Sequence, residues 1–115
     1  MDEVFYVFLG FAILMLILAL ITKFFPAKKA NFIYGYRTDR SMRSKKNWDY
    51  AQSLLPPMFF RIAAYYFLLA LFWFFYPSLS EKTGMIIFLV ALVASFSFEV
   101  IRNERKLKRF SREKI

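Results

Sequence analysis

Two side chains carry charge where the surrounding sequence carries almost none. Arg61 interrupts the apolar run of residues 58–76, and Glu99 interrupts that of residues 84–101. A guanidinium and a carboxylate can join through charge-assisted, bidentate hydrogen bonds. Left single at mid-membrane, each would cost about 2.5–3.5 kcal/mol, and less near the interface. A second group of candidates lies in residues 34–51, YGYRTDRSMRSKKNWDYA, a basic and aromatic stretch too polar to cross a bilayer. Within it Arg37 could grip a phosphate or a carboxylate with its planar fork. On the alternative reading, Tyr34, Tyr36 and Trp48 form an aromatic belt and the basic residues touch lipid.

The chain contains no Cys and no His. That removes disulfides, thiol chemistry, the usual zinc ligands and any histidine-based proton relay. Asp39, Asp49 and Glu104 have no spacing that suggests a carboxylate dyad or a metal cage. The sequence therefore predicts no catalytic residue, no metal and no cofactor.

The elements that must position these groups follow from the apolar blocks. Hydrophobic residues make up 59% of the chain, with 16 Phe, and they cluster in residues 4–25, 58–76 and 84–101. As helices these would measure roughly 33, 28 and 27 Å against a hydrocarbon core of about 30 Å. Each is expected to span a membrane, since 115 residues cannot bury three such segments in water. The first is read as a span and not a secretory signal. It is preceded by Asp2 and Glu3, its apolar run is too long, and no small-residue cleavage pattern follows.

Basic residues set the expected topology. The loop of residues 26–57 holds Lys28, Lys29, Arg37, Arg40, Arg43, Lys45 and Lys46, and the tail of residues 102–115 holds Arg102, Arg105, Lys106, Lys108, Arg109, Arg112 and Lys114. Residues 77–83 hold only Lys82, beside Glu81. The positive-inside rule puts loop and tail in the cytoplasm and the N-terminus outside. The net charge of +9 is accordingly assigned to topology and anionic lipid headgroups, and not to nucleic acid.

Finer signals lie in the loop. Pro26 should close the first helix, with Lys23 and Lys28 snorkelling to headgroups, and Gly35 permits a turn. Thr38 or Ser41 could cap a short helix running to about Leu55. A helical wheel puts Trp48, Ala51 and Leu55 on one side with Ser41 and Ser44, and Arg43, Lys46 and Tyr50 on the other. That pattern suits a helix in the headgroup layer anchored by Trp48. Pro56 and Pro57 should then turn the chain sharply into the second span, with Leu55 kept out of helical geometry.

The third span should continue as a helix past the membrane, with Glu99–Arg102 and Glu104–Lys108 spaced as charge pairs. Ala91, Ser95 and Glu99 give it a small and polar stripe for close helix packing. Because the second and third spans run antiparallel, Arg61 and Glu99 fall at nearly the same depth, and a salt bridge between them is predicted. The pair could orient and pack the helices. It could also line a polar pocket open to the cytoplasmic leaflet, with Arg37 or Arg43 contributing.

The run NFIYGYRTDRSMRSKKNWDYA, followed by a hydrophobic span, resembles the SdpI/YfhL family of membrane proteins. The resemblance rests on Gly35, Tyr36, Arg37, Thr38, Ser41, Met42, Arg43, Trp48 and Ala51, and it covers roughly residues 31–76. Asp39 stands where the family often has Pro, and Lys45 and Lys46 where it often has acids. Longer relatives carry additional spans. They are associated with immunity to a killing peptide and with membrane capture of a transcriptional repressor.

The combined reading is an all-α, three-span transmembrane bundle with a short interfacial helix between the first two spans, forming one membrane domain over residues 1–115. It is a non-enzymatic, SdpI-type protein of the bacterial cytoplasmic membrane. It would confer immunity to a membrane-active peptide by binding or shielding. The alternatives are a small subunit or scaffold of a larger membrane complex, or capture of a cytoplasmic regulator. The expected partners are anionic headgroups, a hydrophobic toxin peptide, and a second copy or another membrane protein.

Overall fold

An uninterrupted apolar sequence without proline makes the first helix, α1 (Glu3–Phe24), which ends two residues before Pro26. It is followed by α2 (Lys45–Ser53), α3 (Leu55–Phe75) and α4 (Glu81–Glu113). The computed structural model describes residues 3–28, 35, 36, 38, 40–76 and 80–111, with backbone alone at 112 and 113. Among these residues there is no strand. Helices α1, α3 and α4 are each long and apolar enough to cross a membrane. The fold is an all-α bundle with a short helix between its first two spans.

The bundle's main seam joins α1 to α3. Val4, Phe8, Ala12, Met15, Ala19 and Thr22 recur every three or four residues and form one buried stripe. It meets Met58, Ile62, Ala63, Tyr66, Ala70 and Trp73 of α3. Ala12, Ala19, Ala63 and Ala70 let the two backbones approach closely, which is how helices associate where lipid supplies no hydrophobic drive. Thr22 meets the apolar environment by donating its hydroxyl to Leu18 O at 2.8 Å. The outward face of α1 (Ile13, Leu14, Ile17, Leu20 and Ile21) is exposed in the isolated chain.

Helix α4 joins this pair at one end and at its extension. At Gly84, an added Cβ would lie 2.6 Å from Val4 Cγ1 and 2.8 Å from Trp73 Cη2, so only glycine fits. Next comes a knot of rings. Phe11 and Tyr66 are 4.6 Å apart, Phe11 and Phe88 5.2 Å, and Tyr66 donates to Phe88 O at 2.9 Å. Beyond it Leu89, Val90, Val93, Phe98 and Ile101 are exposed. The Ala91–Ser95 stripe is therefore not the close-packed seam the spacing implies. Both residues line an open groove of about 570 Å³ with Tyr65, Leu68, Leu69 and Phe72 of α3.

The loop helix departs from expectation in four ways. Its cap is Ser44, whose Oγ accepts from Asn47 N at 3.0 Å, because Thr38 and Ser41 are committed to each other in the preceding turn. It ends at Ser53. Leu55 already opens α3, with Pro56 and Pro57 in its first turn, where missing N–H groups cost no intrahelical bond. The junction is the single residue Leu54, which keeps right-handed helical angles (φ −82°, ψ −16°).

The fourth departure is the role of Trp48. It is 2% exposed and donates its indole N–H to Ala27 O at 2.8 Å. Trp48 is a core residue of the loop, not a headgroup anchor. Tyr50, expected on the polar side, stacks on Phe110 of α4 with ring centres 4.2 Å apart and planes 3° from parallel.

Candidate functional site

The loop residues build a tight polar clasp. Gly35 sits at φ +111°, a conformation side chains rarely tolerate, with Gln52 Oε1 2.8 Å and Ala27 Cβ 3.0 Å from where its Cβ would be. This turn presents both backbone groups of Tyr36 to one amide. Tyr36 N donates to Gln52 Oε1 at 2.7 Å, and Gln52 Nε2 donates to Tyr36 O at 3.0 Å. Buried Ser41 closes the next turn: its Oγ accepts from Thr38 N at 2.8 Å and points its hydrogen at Tyr36 O and Thr38 O. Thr38 Oγ1 in turn accepts from Ser41 N at 3.2 Å. Among the described residues, no buried side-chain N or O atom of the clasp is without a hydrogen-bond partner, an arrangement that favours a single conformation.

The clasp is docked on the extension of α4. Tyr36 donates its phenol hydrogen to Glu104 Oε2 at 2.8 Å, and Thr38 Oγ1 reaches the same oxygen at 3.2 Å. Burial, then the hydrogen bond and charge of Glu104, push the Tyr36 phenol above its ordinary value of 10.0. Asn47 Nδ2 donates to Arg40 O at 2.9 Å and to Ser111 Oγ at 3.3 Å. Leu107 is completely buried between these contacts. The extension thus has a face of its own for the loop, and Glu104 is used by the loop rather than by Lys108.

The Arg61–Glu99 ion pair joins α3 to α4. Arg61 Nη2 is 2.6 Å from Glu99 Oε1, and Arg61 Nε donates to the same oxygen at 2.7 Å. Tyr65 donates to Glu99 Oε2 at 2.9 Å. Glu99 is fully buried, with both carboxylate oxygens hydrogen-bonded to α3, and it makes no pair with Arg102. Four residues on, Asn103 is equally buried. Its Nδ2 lies 3.3 Å from Met58 Sδ, and its Oδ1 has no hydrogen-bond partner.

Of the sequence candidates, Gly35, Tyr36, Thr38, Ser41 and Trp48 are brought together in the clasp. Met42 and Arg43 are exposed at its edge. Arg37, with Tyr34 and Asp39, lies outside the described residues. Gln52, Asn47, Glu104 and Asn103 were missed by sequence reasoning. A signal existed for two of them: Asn47 and Gln52 flank Trp48 and Ala51 on the same helical face, so they had to be buried with that face.

A cavity of about 660 Å³ opens beside the clasp, between the end of α1 and the α2–α3 junction. Its walls combine Pro56, Pro57 and Phe60 with Lys23, Lys28 and Lys45. Lys45 is also paired with Asp49 at 2.8 Å. Among the described residues there is no group of His, Cys, Asp or Glu arranged to hold a metal ion.

The sequence profile of the SdpI/YfhL protein family matches residues 27–100, which contain α2, the ion pair, all of α3 and the first part of α4. The chain belongs to this family. Uncharacterized protein YfhL of Bacillus subtilis (strain 168) is 47% identical over 38 residues, 33% of this chain and 34% of that relative. The match therefore spans about a third of the length of each. No solved structure matches the chain. With three apolar helices and this family, the chain is an SdpI-type multi-pass membrane protein.

Proposed function

We propose that this SdpI-type protein protects its host against a membrane-active peptide, by binding the peptide or shielding the bilayer, without catalysis. The observation that carries the reading is the clasp itself. Five of the residues that carry the family resemblance, Gly35, Tyr36, Thr38, Ser41 and Trp48, build a hydrogen-bonded platform tied to α4 through Glu104, with an apolar and basic cavity at its edge. A cavity lined by Pro56, Pro57 and Phe60 together with Lys23, Lys28 and Lys45 suits an amphipathic chain segment lying at the interface. The orientation we infer has the N-terminus outside and the basic loop and tail in the cytoplasm of a bacterial cell membrane, against anionic headgroups. The test is expression in a peptide-sensitive host. Survival should rise, and Arg37→Ala or Trp48→Ala should abolish the gain; unchanged survival with the wild-type chain would sink the proposal.

A second reading is favoured by α4, whose membrane-spanning part leaves a face of Leu89, Val90 and Val93 uncovered. On this reading the protein is a subunit of a larger membrane assembly, or pairs with a second copy, and further helices cover that face. Mass determination after gentle detergent extraction separates the two: a monomer without companions removes the subunit reading.

A further inference from the structure

The α3–α4 groove and the basic extension of α4 are two halves of one surface. Ala91, Ala94, Ser95 and Phe98 line the groove, and Phe98 also lines a cavity of about 470 Å³ with Ile101, Arg102, Arg105, Lys106 and Arg109. At 100° per residue all of these α4 positions fall on a single face. That face is opposite in character to the one holding Asn103 and Leu107 against the loop. It is apolar where α4 crosses the membrane and cationic immediately beyond.

Four like charges on one helical face repel one another. Among the described residues none of Arg102, Arg105, Lys106 and Arg109 has a carboxylate within salt-bridge distance. The Lys106 ammonium is held below its ordinary pKa by partial burial and by Arg102 and Arg61, against the opposing charge of Glu99, so three cations and one carboxylate share this neighbourhood. Arg61 already has Glu99 as its partner. The local excess of positive charge is left for an anion that comes from outside the chain.

We propose that this face binds one molecule of an anionic diacyl phospholipid, with an acyl chain along the α3–α4 groove and the phosphate among Arg102, Arg105 and Lys106. Charge complementarity selects the headgroup, and continuity of the groove with the basic cavity selects a lipid over a soluble anion. Depth agrees. The headgroup layer is roughly 5–8 Å thick on each side, and helical rise places Lys106 about 6 Å beyond Arg102, within it, and Arg109 about 10 Å beyond, past its outer limit. The site makes the general attraction of a basic tail for a membrane into a defined position, and it does not depend on the immunity reading.

The experiment is native mass spectrometry of the full chain in detergent with added phosphatidylglycerol or phosphatidylcholine of identical chains. Wild type should retain one phosphatidylglycerol in preference to phosphatidylcholine. Arg102→Gln with Lys106→Gln should lower that retention roughly thirtyfold, the effect of two cations at an anionic headgroup. Arg109→Gln should change it little. Glycerol phosphate alone should not compete, because it lacks the chain that fills the groove. Ala94 is exposed, so Ala94→Leu fills the groove without touching the bundle core, and it must lower retention even if the double charge variant misfolds. Equal retention of the two lipids, displacement by glycerol phosphate, or undiminished retention in Ala94→Leu would each overturn the site.

Discussion

Tyr36 and Glu104 are joined by a 2.8 Å hydrogen bond that fastens the loop between the first two spans to the extension of the last. The bond has a charged acceptor and a partly buried setting, so Tyr36→Phe should cost about 1.5–3 kcal/mol. Glu104→Gln should cost less, because the amide oxygen can still accept. Unfolding in detergent, read for both variants and their combination, gives the coupling. The phenol is held protonated above its ordinary value, so the folded state binds this proton more tightly than the unfolded one. Its contribution is complete below pH 10 and declines as the pH rises beyond. Ultraviolet titration should find that Tyr36→Phe removes no phenolate from the ordinary tyrosine range.

The Arg61–Glu99 pair should be asymmetric towards mutation. Glu99 is fully buried, whereas the Arg61 side chain is 27% exposed. Removing Arg61 strands a carboxylate and should cost roughly 3–5 kcal/mol. Glu99→Gln, which keeps an acceptor for Tyr65, should be milder, since the arginine can reach headgroups. Exchange of the two charges in Arg61→Glu with Glu99→Arg should recover part of the loss. Thermal stability in detergent measures all three, and a double exchange no better than the worse single change would argue against a direct pair.

Gly35 has neither the space nor the backbone angle for a side chain. Gly35→Ala should destabilise the loop by about 1–3 kcal/mol. Gln52→Glu should do likewise, because a carboxylate can accept from Tyr36 N but cannot donate to Tyr36 O. Protease accessibility of the loop is the direct readout: faster nicking in either variant, with the spans intact, is the expected result.

Trp48 distinguishes a packed loop from a headgroup anchor. Trp48 and Trp73 are 2% and 1% exposed. In a Trp73→Phe background, brominated lipids labelled at headgroup depth should quench the remaining fluorescence weakly. Strong quenching would mean that the indole faces lipid and that its bond to Ala27 O is not formed.

Asn103 carries an unsatisfied buried oxygen next to the ion pair. Replacing both its polar groups in Asn103→Leu should raise stability by about 1 kcal/mol, as the desolvation penalty disappears. A loss of stability instead would show that a water or another group satisfies the amide.

The three spans were legible because bilayer thickness sets a length that apolar runs must meet, and residues 4–25, 58–76 and 84–101 meet it. The helical extension of α4 was legible too, since residues 102–113 contain no breaker. Gly35 declared a turn by type alone. The similar depth of Arg61 and Glu99 followed from antiparallel spans, although their contact required the rotation of two helices that hydropathy does not encode.

Tertiary structure alone decided where the polar groups of the loop and tail found partners. Tyr36 and Glu104 are 68 positions apart, and Asn47 and Ser111 are 64 apart, so no local period links them. A basic tail reads as uniformly charged, yet Leu107 is buried and Glu104 is taken by the loop, because only the fold brings that face of α4 against α2. Trp48 had the composition of an interfacial anchor and became core for the same reason: Ala27 O, 21 residues earlier, needed a donor. Composition and bilayer thickness determined how many helices cross, whereas pairing of buried hydrogen-bonding groups between distant segments determined what those helices hold in place.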